Sequence, residues 1–163
     1  MAMPRFNQPL LEIEALRAAL GRDERLIGID PGSKTLGIAL TDVRLTLASP
    51  YGSLKRKKLR ENAAEILAIA RKEGAGGIVV GFPLSMDGTI GPAAQAARDW
   101  ALALAAETGL KVALWDERLS SAAVNRFLVT EADLSRKKRA AVVDGMAAAW
   151  TLQAALDASR EGA

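Results

Sequence analysis

The chain has 163 residues, which is enough for one domain of ordinary size and too few for two domains that each bury a core. It contains no Cys and no His, so disulfides, thiol nucleophiles, Ser-His-Asp catalysis and His- or Cys-ligated zinc sites are excluded. The net charge is only +3, but the basic residues are concentrated in two blocks, at 55–60 and 136–139. Each block suits either a polyanionic partner or a solvated surface.

Membrane insertion and secretion are not expected. The longest stretch without a charged residue covers 74–86, which is shorter than the roughly 18 residues needed to cross a bilayer. The N-terminal segment has charged residues throughout and lacks the apolar core of a secretory signal. Together with the absence of Cys, this composition predicts a cytoplasmic protein.

The pattern of apolar residues predicts a hairpin followed by alternating helices and strands. A short helix is expected at 10–20, strands at 25–30, 36–42 and about 45–54, a helix at 57–74, a strand at 76–81, a helix at 91–108, a strand at 111–116, a helix at 120–132, and a basic stretch followed by a final helix up to 159. This order predicts an α/β fold in which an antiparallel meander continues into a parallel half, with helices on both faces of the mixed sheet.

Acidic residues stand where ligands gather in such sheets. Asp30 ends one strand, Asp116 and Glu117 end another, and Asp144 lies at the margin of an apolar helix stripe. Taken singly, Asp30 is equally well explained as a turn cap. Asp116 is more simply explained as an exposed cap or orienting group, and Asp144 as a partner of Arg139. If the fold brings Asp30, Glu117 and Asp144 together, they require a cation, because two carboxylates about 4 Å apart repel by roughly 4 kcal/mol at an effective dielectric of 20. Carboxylates select Mg²⁺ or Mn²⁺, and a pair of such ions drives phosphodiester hydrolysis.

Four segments, in order, resemble the successive motifs of a known family. They are IDPGSKTLGIALTD, GIVVGFPLSMDGT, VALWDERLSS and RKKRAAVVDGMAAAWTLQ, and they resemble the YqgF family of RuvC-like proteins with a ribonuclease H fold. Members are described as Holliday junction resolvases and as pre-16S rRNA nucleases. The resemblance implies a five-stranded sheet of order 3-2-1-4-5. It also implies one nuclease domain at 25–163, preceded by an extension at 1–24 that carries the short helix.

The resemblance assigns roles to individual residues. It makes Asp30, Glu117 and Asp144 the catalytic residues and the ligands of Mg²⁺ or Mn²⁺. It also matches four basic positions, which we interpret as contacts to substrate phosphates: Lys34, Arg118, Lys138 and Arg139. For Arg118, a salt bridge to a neighbouring acid is an equal alternative. Asp87 is expected to cap the helix that follows it.

The function implied by the resemblance is metal-dependent hydrolysis of structured RNA, at the 5′ side of the 16S ribosomal RNA precursor. The alternative is resolution of four-way DNA junctions, which uses the same acids and requires a dimer, so both a monomer and a homodimer are open. A non-catalytic RNA-binding adaptor is less favoured, because negative charge beside phosphate gives a pure binder no advantage. An actin-like ATP-binding protein, suggested by DPGSKTLGIALTD, would need a second lobe for which the chain has no room.

Overall fold

A computed structural model describes residues 10–83, 87–117 and 136–160, without the side chains of 136–144. These ranges contain α1 (Ile13–Ala19), β1 (Arg25–Pro31), β2 (Thr35–Thr41), β3 (Ala48–Lys55), α2 (Leu59–Glu73), β4 (Ala75–Phe82), α3 (Pro92–Thr108), β5 (Lys111–Asp116) and α4 (Arg136–Ala158). The helix expected at 120–132 lies outside the described residues. Within the described ranges, no helix combines the length and the apolarity needed to cross a membrane.

The five strands form one sheet in the order β3-β2-β1-β4-β5, which confirms the predicted topology. The first three strands pair antiparallel, whereas β1 with β4 and β4 with β5 pair parallel. Parallel neighbours require long crossovers, and α2 and α3 supply them. The sheet therefore places the carboxyl ends of β1, β4 and β5 side by side at one edge.

Each face of the sheet is covered by its own pair of helices. On one face, Ile27 and Ile78 pack in a cluster with residues of α2 and α3. On the other face, Leu26 and Val79 pack with α1 and α4. Because successive strand residues point to opposite faces, Asp30 shares the second face with Leu26. We call this second face the α4 face.

Helix α4 runs antiparallel to β1. A Cβ atom added to Gly145 would lie 3.1 Å from Cβ of Pro50 and 3.4 Å from the carbonyl oxygen of Gly52, both in the middle of β3, which runs in the same direction as β1. Further along α4, the side chain of Gln153 accepts a hydrogen bond at 2.8 Å from the backbone N–H of Ala48, the first residue of β3. The N-terminal part of α4 is therefore directed toward the carboxyl end of β1.

Most element boundaries shift by one to three residues from the prediction, and two of the differences have a clear physical cause. The third strand begins at Ala48 rather than near 45, because Leu45 has a φ of 57° and Asp42 holds a turn there. Burial is the largest single influence on the Asp42 pKa and raises it. Hydrogen bonds from the hydroxyl of Thr46 and from the backbone N–H groups of Leu47 and Thr46 together outweigh burial and lower the Asp42 pKa to about 2. The basic stretch predicted to precede the last helix is instead its first turn, since α4 begins at Arg136.

The segment before β1 packs on the α4 face. Ile13 and Leu16 of α1 are buried there, and the backbone N–H of Leu11 donates a hydrogen bond to the carbonyl of Val112 at 2.9 Å. An apolar stripe on α1 thus extends the core across β5. The division of the chain into an extension at 1–24 and a nuclease domain at 25–163 stays a prediction.

Candidate active site

Asp30 stands where β1 leaves the core. Leu26, Ile27 and Ile29 are buried, whereas Asp30 is half-buried and pairs with Gly37 of β2. On its other side lies β4, where the pairing of Ile29 with Val80 makes Gly81 the next residue along. The sequence Asp-Pro-Gly then turns the chain away from the sheet, so the carboxylate sits at the edge rather than in the core.

Glu117 reaches toward Asp30 across Gly81. A Cβ atom added to Gly81 would lie 3.0 Å from Cγ and 3.1 Å from Cδ of Glu117, so any larger residue would displace this side chain. Gly81 pairs with Trp115 of β5, two residues before Glu117. Since β4 separates β1 from β5, the two acids belong to strands about 10 Å apart. The missing side chain at Gly81 is what leaves room for them to meet.

The carboxyl groups of Glu117 and Asp30 are hydrogen-bonded to each other. Burial is the largest cause that raises the pKa of Glu117, followed by the hydrogen bond to Asp30 and the charges of Asp30 and Asp116, and together these bring it to about 8. In the absence of a cation, Glu117 therefore holds a proton near neutral pH. A proton shared by two carboxyl groups occupies the place that a cation can take, because both relieve the same repulsion.

The position of Asp144 is described for its backbone alone. Asp144 directly precedes Gly145, which packs against β3. It lies one helical turn before Ala148, and the carbonyl oxygen of Ala148 would be 3.2 Å from a Cβ atom added to Gly28 of β1. Among the side chains that the structure describes, no three acids form a group that could hold a metal. The role of Asp144 as a third ligand stays a prediction, as do those of Arg118, Lys138 and Arg139, whose side chains lie outside the described part.

Lys34 lies in the turn between β1 and β2, four residues after Asp30, and its side chain is exposed. Arg56 fixes this turn. Its backbone N–H donates to the carbonyl of Lys34 at 2.8 Å, and its guanidinium donates to the carbonyl of Gly32 at 2.7 Å. The guanidinium carbon also lies 5.8 Å from the ring centroid of Trp100, a cation–π distance. The turn beside Asp30 is thus held by a residue of the first basic block.

Comparison with known proteins assigns the family. The sequence model of the RuvX family, described as Holliday junction resolvase, matches residues 24–158. The chain belongs to this family. The resemblance inferred from the four motifs is thereby confirmed, and so is the assignment to the nucleases, which are hydrolases acting on ester bonds.

Relatives align over almost their whole length with this RuvX-family chain. A protein of Gluconacetobacter diazotrophicus is 60% identical over 153 residues, covering 94% of this chain and 99% of the relative. A protein of Acidiphilium cryptum is 63% identical over 152 residues, covering 93% and 96%. Both carry the provisional name pre-16S rRNA nuclease.

The fold of this family member is also found in a solved resolvase structure. Thermus thermophilus RuvC in complex with a Holliday junction substrate superposes with a TM-score of 0.51, at 19% identity, covering 83% of this chain and 94% of that one. At this identity the match shows the fold, and the fold agrees with the RuvC-like architecture implied by the motifs.

Two features of this RuvX-family site do not follow from the sequence pattern. Gly81 was visible only as the end of an apolar strand, and nothing in the sequence indicated that a side chain from β5 lies over it. The expectation that Asp87 caps α3 was wrong. Asp87 accepts hydrogen bonds from the backbone N–H and the hydroxyl of Thr89, at 3.0 and 2.6 Å, whereas Gly91 occupies the N-cap position without a side-chain bond. An Asp followed by Gly favours a local turn of this kind.

Proposed function

We propose that this nuclease hydrolyses phosphodiester bonds of structured RNA, with the 5′ side of the 16S ribosomal RNA precursor as its substrate. The observation that carries the proposal is the carboxyl pair of Asp30 and Glu117 at the carboxyl edge of the sheet, in a chain whose relatives are named for that RNA. Ligands of open α/β sheets bind at this edge. Hydrolysis by carboxylates also agrees with a chain that contains neither His nor Cys.

The donor set fits a divalent cation. Asp30 and Glu117 present carboxyl oxygens alone, which are the ligands that Mg²⁺ and Mn²⁺ prefer. We assign Asp30, Glu117 and Asp144 as the residues that would hold Mg²⁺ or Mn²⁺. When bound, such a cation lowers the pKa of a water molecule and stabilises the leaving oxygen of the phosphodiester.

The chain's own residues prepare the site. To act as an anionic ligand, Glu117 would have to release the proton that its raised pKa of about 8 lets it keep near neutral pH. Gly81 leaves the space in which Glu117 lies, so the pair is positioned before substrate arrives. Lys34, on the turn held by Arg56, is assigned a phosphate contact. Three further phosphate contacts are assigned by motif alone: Arg118, Lys138 and Arg139.

A second candidate substrate is the four-way DNA junction, and the family description favours it. The same carboxylates would serve, because the phosphodiester chemistry of RNA and DNA is alike at the scissile bond. A two-fold symmetric junction requires two sites related by a dimer axis. The two candidates therefore differ in the oligomeric state that they require as well as in substrate.

The proposal is tested by incubating the purified protein with Mg²⁺ or Mn²⁺ and either labelled precursor RNA or a labelled four-way DNA junction. We expect cleavage of the RNA by the wild type and none by Asp30→Asn. The matched control is Asp99→Asn, since Asp99 is exposed on α3 and accepts a hydrogen bond from Gln95 of the same helix. Cleavage by Asp30→Asn at the wild-type rate would overturn the mechanism, and preferential cleavage of the junction would replace the RNA substrate.

A further inference from the structure

The basic segment, residues 55–60, ends β3 and leads into α2 at the same edge of the sheet as Asp30. Asp30 pairs with Gly37, and Gly37 pairs with Ser53 of β3. Lys55 follows Ser53 by two residues, so both belong to the same face of the sheet, which is the α4 face that Asp30 shares. The register therefore places Lys55 beyond Asp30 at the carboxyl edge, on the side of β3.

The separation suits a strand of nucleic acid. Two strand spacings of about 4.8 Å and two residues of about 3.3 Å separate the Cα atoms of Asp30 and Lys55 by about 12 Å. At a rise of about 3.4 Å per nucleotide along one strand, this distance covers three to four nucleotides. A backbone that has its scissile phosphate at Asp30 can thus continue past Lys55.

The backbone of the basic segment is held in place from two sides. The side chain of Asn62, which is 0% exposed, accepts a hydrogen bond from the backbone N–H of Lys57 at 2.8 Å and donates one to the carbonyl of Lys55 at 3.1 Å. Arg56 ties the segment to the turn that follows Asp30, through the bond from its N–H to the carbonyl of Lys34. Because the backbone is already ordered, binding an anion there orders only side chains.

The charges of the segment divide into two groups. Arg56 is bound to the turn, and Lys57 lies 3.6 Å from Glu65. Three cations are exposed and have no ion pair among the described side chains: Lys55, Lys58 and Arg60. A cluster of like charges at a fixed backbone is costly unless an anion neutralises it, and a polyanion does so at several points at once.

The backbone of α4 brings the second basic block to the same edge. Gly145 packs against β3, and the helix begins at Arg136, nine residues earlier. At about 1.5 Å per residue, its first turn lies about 13 Å beyond that contact, in the direction of the carboxyl edge. The two blocks that are separated by 75 residues of sequence thus stand at one edge of the fold.

We propose that Lys55, Lys58 and Arg60 form a strip that binds the sugar–phosphate backbone of the RNA strand where it leaves the Asp30 and Glu117 site on the side of β3. This inference rests on the proposed function, because it takes RNA as the substrate. The strip contacts phosphates and reads no bases, so it contributes affinity and orientation rather than sequence specificity.

The test compares two charge-removing pairs in an Asp30→Asn background, which is expected to bind RNA without cleaving it. The strip variant is Lys55→Gln with Lys58→Gln. The matched control is Arg71→Gln with Lys72→Gln, two exposed basic residues at the other end of α2 and the opposite edge of the sheet. The probe is a labelled single-stranded RNA, and its affinity is measured over a range of KCl concentrations without divalent ions.

We expect the strip variant to bind RNA about 25-fold more weakly than its parent at about 0.1 M salt. The slope of log affinity against log salt should become less steep by about 1.4, which is 0.7 for each phosphate contact removed. The control pair should stay within about twofold of its parent, since it lies in the last turn of α2, at the end of the sheet away from the site. Equal losses of RNA affinity in both pairs, or no loss in either pair, would overturn the proposal that the strip binds RNA. A parent that binds no RNA, or a loss confined to a four-way DNA junction, would overturn its assignment to RNA.

Cleavage is scored separately with each pair in a background that keeps Asp30. A wild type that does not cleave RNA, combined with the expected difference in binding, would overturn the proposed function and support the strip. A wild type that cleaves, combined with equal binding of the two pairs, would overturn the strip and support the function.

Discussion

The carboxyl groups of Asp30 and Glu117 share a hydrogen bond although β4 separates the strands that carry them. The contact depends on Gly81, which contributes no side chain to the α4 face between the two acids. The position of Glu117 next to Asp30 therefore depends on Gly81, and substituting Gly81 tests whether that position matters.

Replacing Gly81 with Ala should displace Glu117 and lower the rate of RNA cleavage by about 10²-fold, because a shift of about 1 Å in a catalytic group has this effect. The rate constant under saturating RNA gives the measurement. Gly52→Ala is the control, since a Cβ atom there meets nothing within 4 Å. If Gly81→Ala cleaves as fast as Gly52→Ala, then the position of Glu117 over Gly81 does not matter for catalysis.

Asp30→Asn should lower the pKa of Glu117 from about 8, because it removes the negative charge and changes the hydrogen bond that raise it. Burial remains, so the value should stay above the ordinary range of a glutamate. The pKa can be followed by ¹³C NMR of the Glu117 carboxyl carbon without divalent ions. Asp116→Asn is the control and should produce a smaller decrease, since Asp116 is the weakest of the causes. Equal pKa values in the wild type and Asp30→Asn would contradict the carboxyl pair.

Without divalent ions, the free energy of unfolding should decrease as the pH rises from about 4.3 to about 8. In this range the folded state keeps the proton on Glu117 whereas the unfolded state has lost it, so the folded state binds more protons and deprotonation favours unfolding. Urea unfolding at several pH values measures the trend. Glu117→Gln should have a flatter dependence, and an unchanged slope in that variant would assign the effect to other groups.

Adding Mn²⁺ or Mg²⁺ should stabilise the wild type and removing it with EDTA should reverse the change. At a concentration about 100-fold above the dissociation constant, the gain in free energy of unfolding is about 2.7 kcal/mol. Thermal unfolding with and without the ion measures it. Asp99→Asn should gain as much as the wild type and Asp30→Asn should gain less. An equal gain in Asp30→Asn would place the bound ion elsewhere.

Asn62→Ala should destabilise the protein by about 1–3 kcal/mol, because the backbone groups of Lys55 and Lys57 lose their hydrogen-bond partner beside a buried position. Denaturant unfolding gives the free-energy difference. Glu61→Ala, at the neighbouring exposed position, serves as the control and should stay within about 0.5 kcal/mol of the wild type. A neutral Asn62→Ala would show that the basic segment does not depend on this anchor.

Much of the fold could be predicted because its signals are local. The apolar run of β4, buried on nearly its whole length, and the order of hairpin and crossovers restrict the sheet to few topologies. The start of β3 could not be predicted, because the turn at Asp42 and Leu45 depends on hydrogen bonds and a positive φ that the apolar pattern does not encode. The apolar pattern likewise does not show that Asp87 accepts hydrogen bonds from Thr89 instead of capping α3.

The sequence by itself determined the chemistry available to this protein: carboxylates without His or Cys, two basic blocks, and motifs that identify the family. These are properties of residue types and of their order along the chain. Only the tertiary structure decided that Glu117 crosses Gly81 to meet Asp30, and that Arg56 and Asn62 hold the first basic block beside the same edge. Such relationships join residues far apart in sequence, and they follow from strand register and side-chain packing, which no local pattern specifies.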